Sequence, residues 1–588
     1  MEEPIVSNTS WVFRKNALCF LVFLSLILLW LPNVVLPIDG SESGKIRYLE
    51  AAGLGSIFWI MAAALCKNIK RLLLISIPFA IILPMELWIR IYYGTPITDH
   101  IIALAWESNL AEAGNLLVTY GASIFLAYMI CGFIFLSGIW SASKLNLHWQ
   151  HRSRYWYIAI FAPTILLFSW VKQDIQPMSS SEITPPSYFD DELTSSWLSQ
   201  WSDVFPMNLL FFSSKFLDQR HKMEKARDSL NGKTLDAWQT DIPTPPDIVI
   251  IVIGESASAS HWGALGYKRN TTPKIQKHEG VAYFSNVASL SSATRTAIPG
   301  VLSRKPFLTP IGAIDWDAEP SFLKAFAEVG YSTHWLSNQA PLGRHDTSIS
   351  VYAKDASDVR FLNPGTYGGR SNYDEILLQP LGEIIKQPGR HIVVLHLLGS
   401  HFNYGLRYPK QFDIFQPSLT SPENNYSNSI GEKTLETNSY DNSIAYTDHI
   451  LDQVIDYASQ HTRNSIVAYF SDHGVDLPNG RCSSQGVSRI SETSFHVPAL
   501  LWAGHDFRGN NKKKWETIIR NVDYPYSTNA FFSSILELSG ITIKNGLPLN
   551  NFLTPPPKNQ PRMVATGNGQ QVDFDMAKTK NPCYITSH

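Results

Sequence analysis

The sequence has almost no net charge and few cysteines. Among 588 residues, 48 Lys and Arg stand against 50 Asp and Glu, and the net charge of −2 gives no global case for a nucleic-acid partner. With five cysteines, the chain cannot carry a dense disulfide framework. The length exceeds what one hydrophobic core usually serves, so at least two domains are expected.

The first third of the chain is hydrophobic, whereas the rest resembles a soluble protein. Five stretches are long and apolar enough to cross a bilayer. They are Ala17–Pro37, Tyr48–Cys66, Leu72–Ile91, Leu116–Trp140 and Tyr155–Val171. We therefore predict an N-terminal transmembrane domain of five helices.

Basic residues in the short flanks predict the orientation of these segments. Eight lie on one side: Arg14, Lys15, Lys67, Lys70, Arg71, Lys144, Arg152 and Arg154. The opposite loops hold mainly Lys45, Arg47 and Arg90. The N-terminus is therefore expected in the cytoplasm and everything after Val171 outside. No small-residue cleavage site follows the first segment, which favours an uncleaved helix over a signal peptide.

The predicted domain plan has three parts. Residues 1–171 form the transmembrane domain, residues 172–246 a linker with interfacial or bridging helices, and residues 247–588 a separate domain outside the membrane. Only Cys482 and Cys583 fall in the exported part. The sequence is compatible with a disulfide between them and equally with two free thiols.

Strand and helix patterns alternate after residue 247. Strands are predicted near 248–253, 332–337, 391–397, 465–470 and 497–502. Helices are predicted near 320–329, 372–386, 439–459 and 526–539. This alternation predicts an α/β fold with a mostly parallel sheet between helices.

Three apolar strands lead into residues that bind metals. The residues are Glu255 after 248–253, Asp472 and His473 after 466–470, and His396 and His401 after 392–395. Chemistry in open α/β sheets sits at the carboxyl ends of strands. Three such strand ends predict one metal centre.

Further motifs accompany these strand ends. They are Gly254-Glu-Ser256, Gly266-Tyr-Lys-Arg-Asn-Thr-Thr-Pro273, Phe284-Ser-Asn-Val287, His396-Leu-Leu-Gly-Ser-His401, Arg407-Tyr-Pro409, Tyr440-Asp-Asn-Ser-Ile-Ala-Tyr-Thr-Asp448 and Ser471-Asp-His-Gly474. In this order, and with the apolar segments, they resemble the phosphoethanolamine transferases of Gram-negative inner membranes. That family belongs to the alkaline phosphatase and sulfatase superfamily, and the resemblance covers nearly the whole chain.

The resemblance implies a threonine nucleophile, and Thr294 occupies the matching position. Ser291, Ser292 and Thr296 are local competitors, and a loop that merely caps a helix is the structural alternative. A bound Zn²⁺ would lower the pKa of the hydroxyl so that it attacks phosphorus.

The resemblance also implies the ligands of this zinc, which are Glu255, Asp472 and His473 with Thr294 as the fourth. It places His401 beside the nucleophile, for phosphate binding, leaving-group protonation or a second metal. A structural histidine remains the alternative for His401.

Two further residues are expected to shape the entrance to the site, Arg407 and Tyr408, and Arg407 is assigned to substrate binding. His396 lies within its strand and is interpreted as structural.

The chain departs from the colistin-resistance members of the family in its second half. Val475 follows Asp-His-Gly where those members have an acidic residue, with Asp476 next. Gln485 stands where they have a second histidine, and His496 is a weak substitute. Their cysteine-rich framework is also missing. These departures argue against a second zinc site. They make the chain more similar to family members that act on core sugars or periplasmic glucans.

One stretch of the apolar part resembles the family's loop at the lipid headgroup. Glu107, Ser108 and Glu112 are its candidate substrate-binding residues, since acidic groups there can pair with an ethanolamine ammonium. A solvated start of a helix is the alternative.

Together these features predict a monomeric inner-membrane enzyme with its catalytic domain in the periplasm. It would transfer phosphoethanolamine from phosphatidylethanolamine to an envelope glycan, namely lipopolysaccharide core, lipid A or periplasmic glucan, with no nucleic-acid partner. The alternatives are a phosphoglycerol transferase, a sulfatase and a non-catalytic scaffold. A sulfatase is disfavoured because Ser292-Ala-Thr-Arg295 lacks the proline of the formylglycine motif.

Overall fold

The structure is a computed structural model, and the chain divides into two compact units. It describes residues 6–35, 42–93, 96–98, 101–102, 105–106, 110–161, 201–240, 244–339, 348–363, 372–420, 429–477, 491–565, 571–583 and 585. The first unit comprises Met1–Ala105 with Leu117–Asp218, and the second Trp106–Leu116 with Gln219–His588.

The described residues form helices and strands as follows. The helices are α1 (Val6–Trp30), α2 (Glu42–Cys66), α3 (Ile69–Ile75), α4 (Ile77–Tyr93), α5 (Leu110–Leu145), α6 (Met207–Leu230), α7 (Thr294–Leu302), α8 (Phe322–Glu328), α9 (Ser348–Ala353), α10 (Leu378–Ile384), α11 (Ser429–His461), α12 (Glu492–Phe495), α13 (His505–Asn510), α14 (Lys512–Asn521), α15 (Ala530–Leu538) and α16 (Phe574–Lys580). The strands are β1 (Trp238–Gln239), β2 (Ile248–Gly254), β3 (Val281–Ala288), β4 (Ser332–Ser337), β5 (Asp358–Phe361), β6 (His391–His396), β7 (Ser465–Ser471), β8 (His496–Ala503), β9 (Tyr526–Ser527), β10 (Ile541–Thr542), β11 (Met563–Ala565) and β12 (Gln571–Asp573).

Apolar helices dominate the N-terminal part of the chain. Among the described residues, three stretches are long and apolar enough to cross a membrane, Val12–Val34, Leu49–Cys66 and Gly121–Leu145, and α3 with α4 forms a bent pair that can count as a fourth. Most of the fifth predicted segment lies outside the described residues, which end at 161 in this region. The apolar character is confirmed, and the count of five stays a prediction.

The third predicted segment, Leu72–Ile91, is bent rather than continuous. The axes of α3 and α4 differ by 64° at Ser76. Pro78 explains the break, because a proline lacks the N–H for the next helical bond and its ring crowds the preceding turn. The hydroxyl of Ser76 donates to the carbonyl of Leu72 at 2.8 Å and closes the end of α3.

A sheet of eight strands forms the centre of the second unit, in the order β5-β4-β6-β2-β7-β8-β3-β9. Strand β8 is antiparallel to both of its neighbours, and the other adjacent pairs are parallel. The predicted α/β fold with a mostly parallel sheet is confirmed.

Side chains of the inner strands point alternately to two apolar cores. From β2, Val249, Ile251 and Ile253 enter one core, while Ile250 and Val252 enter the other. Helices α7, α8 and α15 pack on the first face, and α10 and α11 on the second. Burial on both faces explains why the inner strands are continuous apolar runs.

The five predicted strands are observed, and no strand end is shifted by more than one residue, but two other expectations were wrong in part. The predicted helix at 526–539 begins as strand β9, because Tyr526 and Ser527 pair with the end of β3. The predicted helix at 372–386 is a 3₁₀ turn, Asp374–Leu377, followed by α10.

Candidate metal centre

The carboxyl ends of β2 and β7 lie side by side. In the parallel register Gly254 faces Ser471, so Glu255 and Asp472 leave the sheet at the same level. One ligand atom from each of Glu255, Asp472 and His473 lies within 4.8 Å of the others. Within the described part of the chain, this is the one group of three or more such ligands.

Hydrogen bonds leave one free ligand atom on Asp472 and one on His473. Asp472 Oδ1 accepts from the backbone N–H groups of Ser256 (2.9 Å) and His473 (2.7 Å). Asp472 Oδ2 is buried and has no hydrogen-bond partner among the described residues. His473 Nδ1 lies 2.9 Å from the carbonyl oxygen of Gly474, so it carries the proton and leaves the Nε2 lone pair for a metal.

Glu255 is buried beside a second carboxylate. Its Oε1 accepts from the Ser256 hydroxyl at 2.6 Å, and Nε2 of His473 lies 3.6 Å from Oε1. Burial, and next the charge of Asp472, raise the pKa of Glu255 well above its usual range. Two adjacent buried carboxylates are costly without a cation, so this donor set fits a divalent metal. Carboxylates and imidazoles are also the donor types that zinc takes in proteins, so these three residues would suit a zinc ion.

Thr294 brings its hydroxyl to the same place. Its Oγ1 lies 3.3 Å from Glu255 Oε2 and 3.2 Å from His473 Nε2. Two competing hydroxyls are engaged with each other, since Thr296 donates to Ser291 Oγ at 2.7 Å. The geometry therefore distinguishes Thr294 from Ser291 and Thr296, which the pattern of residues leaves open.

Helix α7 begins at Thr294 and contains Pro299. The proline has no N–H, so the carbonyl of Arg295, four residues earlier, lacks its helical donor. The hydroxyl of Ser348 supplies the missing bond to Arg295 O at 2.6 Å. The helix that carries Thr294 is thus completed by a residue of α9.

Gly399 allows the chain after β6 to approach the metal ligands. It has a positive φ of +50°, and a Cβ there would lie 2.9 Å from both the N and the O of Glu255. The neighbouring Ser400 N–H donates to Glu255 O at 2.9 Å. No larger residue fits without moving the backbone of Glu255.

Two predicted histidines follow the same strand. His401 Nδ1 lies 2.8 Å from Phe402 O, and burial, followed by the charge of Arg407, lowers the pKa of His401 to about 4. His396 ends β6 and its Nδ1 contacts Ser337 Oγ at 3.3 Å. Burial lowers the pKa of His396 to about 4 as well, and its Nε2 has no hydrogen-bond partner among the described residues. Both imidazoles are therefore neutral at neutral pH.

Of the residues that depart from the colistin-resistance pattern, the described ones, Val475, Asp476 and His496, do not join the ligand group. Val475 is buried in the apolar core on the α11 face, and Asp476 is also buried. His496 begins β8, where its Nε2 lies 2.9 Å from the carbonyl oxygen of Ser285. Gln485 lies outside the described residues.

Other predicted site residues are placed as follows. Arg407 is 4% exposed and follows the 3₁₀ turn Tyr404–Leu406, and Tyr408 is buried and donates to Asp413 Oδ1 at 3.3 Å. Glu107 and Ser108 lie outside the described residues, and Glu112 lies in the first turn of α5. Cys583 is disulfide-bonded, whereas Cys482 lies outside the described residues.

Two serines that sequence reasoning did not assign support the centre. Ser256 bonds to both carboxylate ligands, and its place directly after Glu255 in the Gly-Glu-Ser motif is a signal that could have identified it. The Ser289 hydroxyl lies within hydrogen-bond distance of the carbonyl oxygens of Asp472 and Ser291 and can donate its one hydrogen to either, so it ties the β7 end to the loop before Thr294. No sequence pattern distinguishes Ser289 from its serine neighbours.

Comparison with known proteins gives a consistent family. The sulfatase family model matches residues 247–541, about half of the chain. Phosphoethanolamine transferase EptC of Escherichia coli is 23% identical over 593 aligned residues, which cover 96% of this chain and 96% of the relative. Phosphoethanolamine transferase EptA of Escherichia coli is 28% identical over 307 residues, 51% of this chain and 54% of that one.

Solved structures share the fold. The integral membrane protein lipooligosaccharide phosphoethanolamine transferase A from Neisseria meningitidis has a TM-score of 0.60 at 18% identity, covering 89% of this chain and 95% of its own. The C-terminal periplasmic domain of EptC from Escherichia coli, in complex with zinc, has a TM-score of 0.52 at 21% identity and covers 60% of this chain and 98% of its own. At these identities the likeness establishes the fold.

Proposed function

The chain belongs to the sulfatase family, and on that premise we propose that it is a zinc-dependent phosphoethanolamine transferase. Its donor would be phosphatidylethanolamine and its acceptor a glycan of the cell envelope, either lipopolysaccharide or a periplasmic glucan. Relatives that cover 96% and 82% of the chain carry the name phosphoethanolamine transferase, which supports this reaction over other sulfatase-family chemistry.

One observation carries the proposal. The Thr294 hydroxyl lies 3.3 Å from Glu255 Oε2 and 3.2 Å from His473 Nε2, within the group of metal ligands. A threonine hydroxyl is a weak nucleophile at neutral pH and needs activation. When bound by these ligands, Zn²⁺ supplies that activation by lowering the pKa of the hydroxyl.

In the first step the Thr294 oxygen attacks the phosphorus of phosphatidylethanolamine. The Thr294 hydroxyl gives up its proton, and the bond from phosphorus to the diacylglycerol oxygen breaks. That oxygen takes up a proton from water, diacylglycerol leaves, and a phosphoethanolamine ester on Thr294 remains. Helix α7 begins at Thr294, and the positive end of its dipole favours the negative charge of the phosphoryl oxygens.

In the second step a hydroxyl or phosphate oxygen of the glycan attacks the same phosphorus, and the bond to Thr294 Oγ1 breaks. The proton that a hydroxyl acceptor loses is matched by the one that Thr294 Oγ1 takes up as it regains its hydroxyl. Neutral His401 would accept a hydrogen bond from the attacking hydroxyl at Nε2, because its Nδ1 faces the carbonyl of Phe402. The lowered pKa of His401 keeps it neutral and argues against protonation of the leaving group at neutral pH.

The apolar helices fit a donor that never leaves the bilayer. We propose the five crossings predicted above, with the N-terminus in the cytoplasm and the catalytic part in the periplasm of a Gram-negative cell. Within this plan Glu107, Ser108 and Glu112 would contact the lipid headgroup, and Arg407 would contact the transferred group.

The test is mass spectrometry of the purified full-length protein after incubation with phosphatidylethanolamine. A phosphoethanolamine adduct on Thr294 is expected, and it should disappear in Thr294→Ala. Thr296→Ala is the matched control, since it removes a neighbouring hydroxyl and should keep the adduct. Full transfer by Thr294→Ala would refute the mechanism.

The donor is tested in the same assay with two labelled lipids. Phosphatidylethanolamine should label the protein, whereas phosphatidylglycerol should not. Labelling by phosphatidylglycerol alone would instead assign the phosphoglycerol transferase reaction.

A further inference from the structure

Two sequence motifs that the proposed chemistry does not use meet in the second unit. The first is the stretch 266–273, in the chain that follows the metal-ligand strand β2. The second begins at Tyr440 and Asp441 in helix α11. The side chains of the two motifs contact each other. Through Tyr440 and then Ser256, these contacts connect to the candidate metal ligands.

Asp441 is the centre of these contacts. Its side chain is fully buried and accepts three hydrogen bonds, from His261 Nδ1 (2.7 Å), the Tyr267 hydroxyl (2.9 Å) and Arg269 NH1 (2.7 Å). A buried carboxylate with three donors, one of them a guanidinium, is fully compensated. The loop after β2 is therefore fixed to α11 at three points.

Tyr440 lies next to Asp441 and links the contacts of Asp441 to the turn at Ser256. Its ring is fully buried and packs edge-on against His261, with 5.1 Å between the ring centres. Its hydroxyl donates to Ser256 O at 2.8 Å and accepts from Ser258 N at 2.8 Å. Burial raises the pKa of Tyr440, so the phenol stays protonated and able to donate.

Ser256 connects this turn to the ligands. It has a left-handed backbone with φ of +56°, which costs a residue other than glycine about 1 kcal/mol or more. In that conformation its N–H reaches Asp472 Oδ1 at 2.9 Å and its hydroxyl reaches Glu255 Oε1 at 2.6 Å. These bonds leave Asp472 Oδ2 and Glu255 Oε2 for a metal and for Thr294.

We propose that Tyr440 is a positioning residue of the metal centre, held in place by Asp441 through His261. Its hydroxyl bonds both sides of the Ser256 turn and keeps that residue in the conformation that orients both carboxylate ligands. The inference rests on the metal site of the proposed function, but it concerns how this chain builds that site. It gives the Tyr-Asp pair of α11 a role without contact to substrate.

The test compares zinc affinity in full-length protein purified in detergent, measured by competition with a chelator. Tyr440→Phe keeps the ring and removes the hydroxyl, and it should weaken zinc binding about tenfold or more, as loss of an outer-shell bond does. With Co²⁺ in place of zinc, the visible absorption of the variant should also change, because the carboxylates shift.

The matched control is Tyr446→Phe. Tyr446 lies on the same helix and is 1% exposed, but its hydroxyl accepts from Glu375 N, away from the Ser256 turn. This variant should bind zinc as the wild type does. If Tyr440→Phe does not fold, His261→Phe replaces it, since it loses the bond to Asp441 and should weaken zinc binding severalfold.

Unchanged zinc affinity and an unchanged Co²⁺ spectrum in a folded Tyr440→Phe protein would overturn the proposal, and so would an equal loss in Tyr446→Phe. The outcome is separable from the proposed function. A wild type that binds zinc but does not transfer phosphoethanolamine would refute that function, while the difference between the two tyrosine variants would still establish positioning.

Discussion

Two buried glutamates, one in each unit, have opposite surroundings. Glu86 in the first unit is fully buried, and its Oε1 accepts from Arg90 Nε at 2.6 Å and from Asn208 Nδ2 at 3.0 Å. Its Oε2 accepts from Ile97 N at 3.1 Å. Glu255 in the second unit is 2% exposed, and no lysine or arginine of the described residues pairs with it.

The difference indicates which buried acid is structural and which is part of a site. Glu86 has its own cation and a donor for each oxygen, so it needs no further ligand. Glu255 has a second carboxylate, Asp472, as its close neighbour, and its pKa is raised first by burial and next by the charge of Asp472. Glu86 and Glu255 are both buried. Only their hydrogen-bond and charge partners distinguish a glutamate that links chain segments from a candidate metal ligand.

The largest effect is expected at the acids that lack a cation. Glu255→Gln and Asp472→Asn should each lower transfer by roughly a thousandfold, about 4 kcal/mol, because they remove a ligand of the activating metal. Chelation of zinc from the wild type should have a similar effect, measured as phosphoethanolamine transfer to the acceptor. Undiminished transfer by both variants would show that Glu255 and Asp472 do not hold an activating metal.

The next effect concerns Glu86. Glu86→Gln should lower the free energy of unfolding by about 3 kcal/mol, because the buried Arg90 charge loses its partner. Zinc affinity should stay unchanged, so stability and metal binding separate the two glutamates. Thermal unfolding in detergent measures this change, and Glu224→Gln, at an exposed acid, is the control. A Glu86→Gln protein as stable as the wild type would show that the Glu86–Arg90 ion pair does not contribute to the free energy of unfolding.

His396 extends the comparison to a buried group with no charged partner in contact. Its pKa is lowered to about 4 in the folded state, against about 6.5 when unfolded. The unfolded chain therefore binds the extra proton first, and the stability is full above pH 6.5 and is lost as the pH falls toward 4.

Between pH 7 and pH 5 this one imidazole should lower the free energy of unfolding by about 2 kcal/mol. His396→Asn should flatten that part of the curve, whereas His505→Asn, at an exposed histidine, should leave its slope unchanged. Equal slopes in all three proteins would contradict the assignment.

The smallest effect concerns the helix that brings Thr294 to Glu255. Ser348→Ala should lower the free energy of unfolding by about 1 kcal/mol, because the Arg295 carbonyl loses its hydrogen-bond donor. Ser348→Thr keeps the hydroxyl and should lose less. Equal stability of the wild type and Ser348→Ala would mean that water replaces the serine.

The sequence predicts the strands that end at the metal centre because they are buried on both faces. Runs such as 248–253 and 466–470 have no polar residue, and few structures other than inner parallel strands accommodate them. Strand β3 was not predicted, because Ser285 and Asn286 interrupt its pattern where the register shifts against β8. Strand β9 is two residues long and exists only through its pairing with β3, so local pattern could not reveal it.

The sequence by itself determined the apolar N-terminal helices, the parallel α/β sheet and the identity of the candidate ligands, since hydrophobic periodicity and motif order are local properties of the chain. Only the tertiary structure placed the Thr294 hydroxyl beside Glu255 and His473, paired Glu86 with Arg90, and left Asp472 Oδ2 without a hydrogen-bond partner among the described residues. These outcomes depend on which side chains meet across long stretches of chain, and hydrogen bonds act only over about 3 Å. A glutamate beside apolar residues gives the same sequence pattern in both units. Its role depends on the side chains that contact it in the folded protein.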